Sequence, residues 1–178
     1  IEIPTDKWPG TVRTITLGAT AAEGGTRSRT VTVGGEKTMP FMQFEGEIPN
    51  SPVVAIEIKD RRPEDWSPLL LQAWGEAAAD PASWAKAAEA AGAELIQLSL
   101  TLTDTAGQPI TPQGAVASVK AVLQATGLPL LVFGPGQAEL DNQLMVAIAE
   151  ATKGERLVLG ICEDKNYRTI VATAMANG

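Results

Sequence analysis

The chain contains no histidine in 178 residues, which removes Ser-His-Asp catalysis, zinc-hydrolase chemistry and every imidazole acid or base. It has one cysteine, Cys162. A lone thiol forms no internal disulfide and cannot by itself hold an iron–sulfur cluster or a structural zinc, each of which takes about four ligands. Aromatic residues make up only 4% of the chain, and 14 Lys+Arg stand against 21 Asp+Glu, for a formal net charge of -7. That balance repels a phosphate backbone, so nucleic acid is not an expected partner. No apolar run approaches the roughly 20 residues that span a bilayer. Ile1 to Gly10 shows no basic cluster leading into an apolar stretch, so no secretory signal is read there and the cytoplasm is the expected location.

What is present is ordinary for a globular protein: 44% hydrophobic and 20% charged residues, enough for one sizeable core. Two β-branched, alternating segments come first, Thr11 to Leu17 and Arg29 to Val33. With the Gly-rich Thr20 to Ser28 between them, they predict a hairpin with a long connection. Gly34-Gly35 and the Pro-spaced Pro40 to Pro52 read as an extended connector, so residues 1–52 form one unit of organisation and 53–178 another. From Val53 onward, apolar runs at Val53 to Ile58, Leu95 to Leu102, Leu130 to Phe133 and Leu157 to Ile161 predict strands buried on both faces.

Helical patterns lie between and after the runs. Asp80-Pro81 is a cap followed by proline, opening a helix through Trp84 and Ala88 that stops at Gly92. Gln113 to Ala125, Ala138 to Thr152 and Asn166 to Ala176 follow, the last with Ile170, Val171 and Ala174 expected inward. Four βα units in this order predict an α/β fold with parallel strands, either an open sheet or the first half of an eight-stranded barrel. A Rossmann turn is not expected, because the first strand runs into Arg61-Arg62-Pro63-Glu64 without glycine. In a barrel, the hairpin would cover the N-terminal ends of the strands.

Ligands of parallel α/β folds sit at the C-terminal ends of the strands, so the candidates lie in the loops that follow them. These are Lys59 and Asp60; Thr101, Thr103 and Asp104; Gly134, Pro135 and Gly136; and Glu163, Asp164 and Asn166. Two glycines flanking a proline permit close backbone approach by a flat ligand, and equally a tight turn into the next helix. Glu163 and Asp164 suit the start of the last helix. Cys162 is read as a small buried hydrophobe, and Trp66, Trp74 and Trp84 as packing anchors or an interface. Glu45 and Glu47, facing the same way on an extended segment, are either a coupled carboxylate pair or simply solvated.

Several longer strings carry a resemblance: Leu17-Gly18-Ala19-Thr20, Gly24-Gly25-Thr26-Arg27-Ser28, Phe44-Glu45-Gly46-Glu47-Ile48-Pro49-Asn50, Pro63-Glu64-Asp65-Trp66 and Asn166-Tyr167. Together they resemble the small subunit of the corrinoid iron–sulfur protein, whose archaeal counterpart is the delta subunit of acetyl-CoA decarbonylase/synthase. The resemblance covers essentially the whole chain. It implies a TIM-barrel subunit, here an N-terminal hairpin plus about four βα units, in a heterodimer with a large subunit that carries the [4Fe-4S] cluster and the cobamide.

Such a subunit is a non-catalytic part of a methyl carrier. Cobalt receives a methyl group from methyltetrahydrofolate, or a related pterin, through a methyltransferase and passes it to acetyl-CoA synthase in the reductive acetyl-CoA pathway. The barrel mouth would cover the corrin, with no iron–sulfur cluster or metal on this chain. Thr103, Asp104, Gly134, Pro135, Gly136 and Asn166 would be the residues nearest the ring, since hydroxyl, carboxylate and amide groups suit its amide arms. Two departures stand out. The family has histidine where this chain has Met42-Gln43, and it continues past the fourth unit where this chain reaches Gly178, so a piece of a longer chain is expected. Two other classes remain open: a pterin-dependent methyltransferase barrel using Asp60, Asp104 and Asn166, and an aldolase using Lys59 as a Schiff-base lysine.

Overall fold

The computed structural model describes residues 9–39, 46–104 and 106–178. A two-stranded antiparallel hairpin of β1 (Ile15–Leu17) and β2 (Val31–Val33) precedes a four-stranded parallel sheet. The sheet strands are β3 (Ala55–Lys59), β4 (Leu95–Ser99), β5 (Leu130–Phe133) and β6 (Val158–Gly160), neighbours in that order. The helices are α1 (Pro68–Trp74), α2 (Pro81–Ala90), α3 (Pro112–Ala125), α4 (Ala138–Ala151) and α5 (Tyr167–Asn177). Helices α2 to α5 pack side by side in sequence order, as successive crossovers of one hand require. The α/β class and the four βα units are as expected. Residues 40–45, with Met42-Gln43 and Glu45, lie outside the described residues. Glu47 itself pairs with Lys37 at 2.9 Å.

Three helices open on a polar cap followed by proline. Ser67 accepts from the Leu69 amide, Asp80 from Ser83 and Thr111 from Gly114, so an otherwise unpaired first-turn donor is satisfied in each. The sequence pattern foresaw α2 through α5 to within about a turn but not α1, whose Ser67-Pro68 carries the same signal.

The strand register explains where the core lies. Ile58, Leu98 and Val132 stand side by side, as do Ile96 and Leu130, and all are buried against Trp84, Val119, Val122, Leu144 and Ile148 of the helices. Trp66 meets Trp84 edge-on at 5.3 Å and Trp74 lies 5.9 Å away, so the three tryptophans are packing anchors of the β3–α2 crossover.

The opposite face is different. Glu57, Gln97, Leu131 and Val158 form one row across it, and Lys59, Ser99, Phe133 and Gly160 another. The expectation of strands apolar on both faces fails at β3, where Glu57 is exposed and alternates with the core-facing Ile56 and Ile58. Only one face of that edge strand meets helices. In α5, Ile170 is buried but Val171 and Ala174 are exposed, a second correction: the next helical position turns Val171 about 100° away from Ile170, and Ala174 stands at the open edge of a small cavity with Leu157 and Leu159.

The hairpin lies at the N-terminal ends of the strands, and the Gly24-Gly25-Thr26-Arg27-Ser28 string places it there. Arg27, 3% exposed, donates from Nε to Glu155 (3.0 Å), from Nη1 to the Thr126 and Leu128 carbonyls (2.7 and 3.2 Å), and from Nη2 to Thr26 Oγ1 and the Leu123 carbonyl (both 2.6 Å). All five guanidinium hydrogens are engaged, which makes this burial of charge tolerable. Arg27 thus satisfies carbonyls at the end of α3 while joining the hairpin to the segments that enter β5 and β6. The Ser28 amide bonds the Gly127 carbonyl (2.9 Å) and the Gly18 amide the Arg156 carbonyl (3.1 Å), continuing the seam. Gly25 lies against the Ala19 backbone so closely that a Cβ would collide with it.

Candidate functional site

At the opposite, C-terminal end of the sheet, the loops that follow β4, β5 and β6 are each held by one buried polar side chain. Asp60, 6% exposed at the end of β3, reaches across to the loop after β4. Its two carboxyl oxygens accept from the Thr101 amide at 3.1 and 3.2 Å, and Thr101 Oγ1 lies 2.9 Å from Oδ1. Burial pushes the Asp60 carboxyl above its ordinary 3.8, with the Thr101 hydrogen bonds opposing. The same Thr101 hydroxyl lies 2.7 Å from the Thr103 carbonyl oxygen. Beyond it, Thr103 bridges Pro109, and Asp104 Oδ1 accepts from the Ala106 and Gln108 amides, both at 2.9 Å. Asp104 therefore organises its own turn, as short acidic side chains do in loops.

The loop after β5 is held by Asp141, which α4 places under it. Asp141 is 2% exposed, and its Oδ1 has no hydrogen-bond partner. Desolvation raises the Asp141 carboxyl; the Gln137 and Gly136 amides work against this, and Glu163 adds a repulsion that reinforces it. Gly134 faces this carboxyl so closely that a Cβ would strike it, so its lack of a side chain is an internal packing requirement. Gly136 differs: its φ is +85° and nothing lies within 4 Å of where its Cβ would be, so it stands open at the surface. It lines a cleft with Gln137, Glu139, Asn142, Glu163 and Lys165, which joins the β5 and β6 loops.

The third clasp is Asn166, 1% exposed, which accepts from the Glu163 amide (2.6 Å) and donates to the Ile161 carbonyl (3.0 Å). Glu163 meets the start of α5 through its backbone carbonyl, which accepts from the Asn166 and Tyr167 amides. Cys162 is exposed, correcting its reading as a buried hydrophobe: β6 ends at Gly160, so Cys162 lies in the loop rather than in the strand. Lys59 Nζ lies 5.6 Å from the Trp66 ring centre.

The candidates thus divide. Gly136 is open and Asp104 is exposed, whereas Asn166 is buried beneath its loop and Gly134 is closed off by Asp141. The polar groups of Asp60 and Asn166 that a pterin site would use are engaged within the chain, and Asp104 commits Oδ1 to its own turn. Leu102 after β4, Ile161 after β6, and Leu69 and Leu70 on α1 leave their side chains exposed. Asp141 was missed from sequence, although its spacing to Leu144, Met145 and Ile148 puts a carboxylate on the buried stripe of a helix, a detectable signal. Among the described residues no group of three His, Cys, Asp or Glu is arranged to hold a metal ion, and no helix is long and apolar enough to cross a membrane.

A parallel α/β chain whose candidate site lies in its βα loops is a class with many chemistries, and here comparison with known proteins narrows it. Residues 14–178 match the family described as CO dehydrogenase/acetyl-CoA synthase delta subunit, and the chain belongs to that family. Among curated relatives, the acetyl-CoA decarbonylase/synthase complex subunit delta of Archaeoglobus fulgidus is 37% identical over 97% of this chain and 38% of its own length. Those of Methanosarcina mazei and Methanocaldococcus jannaschii are 30% and 31% identical, over 95% and 98% of this chain and 39% and 43% of their own length. The chain spans about two fifths of these relatives. The family is the one that the sequence strings resembled.

Proposed function

We propose that this chain is the portion of a delta-type corrinoid protein subunit that covers a cobamide held mainly by a larger iron–sulfur subunit, in a cytoplasmic methyl carrier of the acetyl-CoA pathway. The four βα units are the first half of a TIM barrel, with the hairpin of β1 and β2 as its lid at the N-terminal ends. The observation that carries the reading is the division at the C-terminal mouth: loops fixed from beneath by Asp60, Asp141 and Asn166, with Leu69, Leu102 and Ile161 turned outward. An exposed apolar rim on a fixed frame suits a large, mostly apolar partner surface.

The residues fit the cobamide as a cover. With no histidine and one exposed cysteine, the chain offers no imidazole to cobalt, while Thr103, Asp104, Pro135 and the open backbone at Gly136 suit a ring edged with amides. When bound, the cobamide supplies the methyl-accepting and methyl-donating centre; the chain excludes water and fixes the orientation of what docks. The methyl donor is a methylpterin working through a methyltransferase, and the acceptor is acetyl-CoA synthase. The test uses the full-length protein reconstituted with its large subunit. Leu102→Asp together with Ile161→Asp is expected to weaken assembly and alter the corrinoid visible spectrum, while Val12→Asp on the hairpin leaves both unchanged. The opposite pattern overturns the reading.

A further inference from the structure

The Thr101 hydroxyl carries one hydrogen and lies close to two oxygens, which sets a proton count at the mouth. Thr103 O, 2.7 Å away, is a carbonyl and can only accept. At that distance two oxygens without a proton between them repel, so the hydroxyl hydrogen belongs to this contact. Asp60 Oδ1 is the second neighbour, at 2.9 Å. With the hydroxyl hydrogen already committed, that contact is a hydrogen bond only if the hydrogen comes from the carboxyl.

We propose that Asp60 carries a proton in the folded protein and donates it to Thr101 Oγ1, acting as a positioning residue that fixes the loop bearing Thr103 and Asp104. The Thr101 amide remains satisfied by the other carboxyl oxygen, at 3.2 Å. The surroundings agree. Asp60 is 6% exposed, and its burial favours the neutral form. The charge acting on it is that of Arg61 in its own loop, which opposes protonation and lies 3.7 Å from Glu64. The end of β4 presents Leu100, Thr101 and Leu102, none ionisable, and Asp104 Oδ1 is turned to the Ala106 and Gln108 amides. The inference goes beyond the cobamide reading and holds whatever docks at the mouth.

Asp60→Asn tests it, because an amide reproduces both the donor and the acceptor of the protonated acid. In the full-length protein at about pH 6, infrared spectroscopy should show a protonated-carboxyl band that moves on 13C-aspartate labelling and is missing from Asp60→Asn. Amide exchange across Thr101 to Asp104 should stay within about twofold of wild type in Asp60→Asn and rise about tenfold or more in Asp60→Ala. Protection of this loop should fall with rising pH in the wild type but not in Asp60→Asn. If Asp60→Ala fails to fold, the band and the pH profile of Asp60→Asn decide alone. No band lost in Asp60→Asn, or an equal pH dependence in the two proteins, overturns the proposal.

Discussion

The two ends of the parallel sheet solve the burial of charge in opposite ways. At the N-terminal end, buried Arg27 uses every donor, its Nε on Glu155, while the exposed Glu23 is held by Thr20 and by Arg156 at 2.7 Å. At the C-terminal end, Asp60 and Asp141 are buried without a cation bonded to them, and Asp141 Oδ1 has no partner at all. Fully paired buried groups fix a structure, whereas under-paired ones are tolerated where a site needs them. The seam below is therefore the stabilising end, and the mouth above is the end that we propose meets other molecules.

The largest effect expected is on the seam. Arg27→Met should lower the unfolding free energy by about 3–5 kcal/mol, by leaving Glu155 and several carbonyls unpaired, whereas Leu102→Asp on the rim should change it by about 0.5 kcal/mol or less. Denaturant titration of the intact protein measures both. Comparable losses would erase the distinction between the ends. The two glycines of the β5 loop come next. Gly134→Ala forces a methyl against Asp141 and should cost about 1–3 kcal/mol, while Gly136→Asn, in open space and at a φ that asparagine tolerates, should be near neutral. A neutral Gly134→Ala would show that Asp141 does not hold this loop.

The pH dependence of the ends should have opposite signs. Hydrogen bonds from Thr20 and Arg156 bring Glu23 down to about 2, so its stabilisation is present above its ordinary 4.5 and is lost as pH falls through about 2. Asp60 and Asp141 are raised above 3.8, so their stabilisation is present below that value and is lost as pH rises through their folded-state values. Melting temperatures followed from about pH 2 to 7 should therefore converge on wild type at acid pH for Glu23→Gln. For Asp60→Asn and Asp141→Asn, the gain relative to wild type should grow toward neutral pH. The smallest effect is that of Asp104→Ala, about 1 kcal/mol, read as faster amide exchange at Ala106 and Gln108.

Much of the fold, and rather less of the seam and the mouth, was legible in the sequence. Apolar runs and the Asp80-Pro81 cap located the βα units, because those signals are local. The string around Arg27 was distinctive enough to suggest a family, yet its role as a clasp depends on Glu155 and Thr126, about a hundred residues or more away, which no local pattern connects. The same holds at the mouth. That Asp60 serves the loop of the next strand, and Asp141 that of the preceding one, follows from strand order and helix packing. Asn166 was expected to face a ligand, and the structure shows it buried as a clasp under its loop. Cys162 was misjudged because β6 is only three residues long.

The most direct test of the division between the ends is a hydrogen-exchange footprint of the full-length protein with and without the proposed corrinoid-bearing partner. We predict new protection across Leu102 to Asp104, Gly134 to Gly136 and Ile161 to Cys162, with no change across Gly18 to Arg29. Protection confined to the Arg27 seam, with the three mouth loops unchanged, would contradict the account.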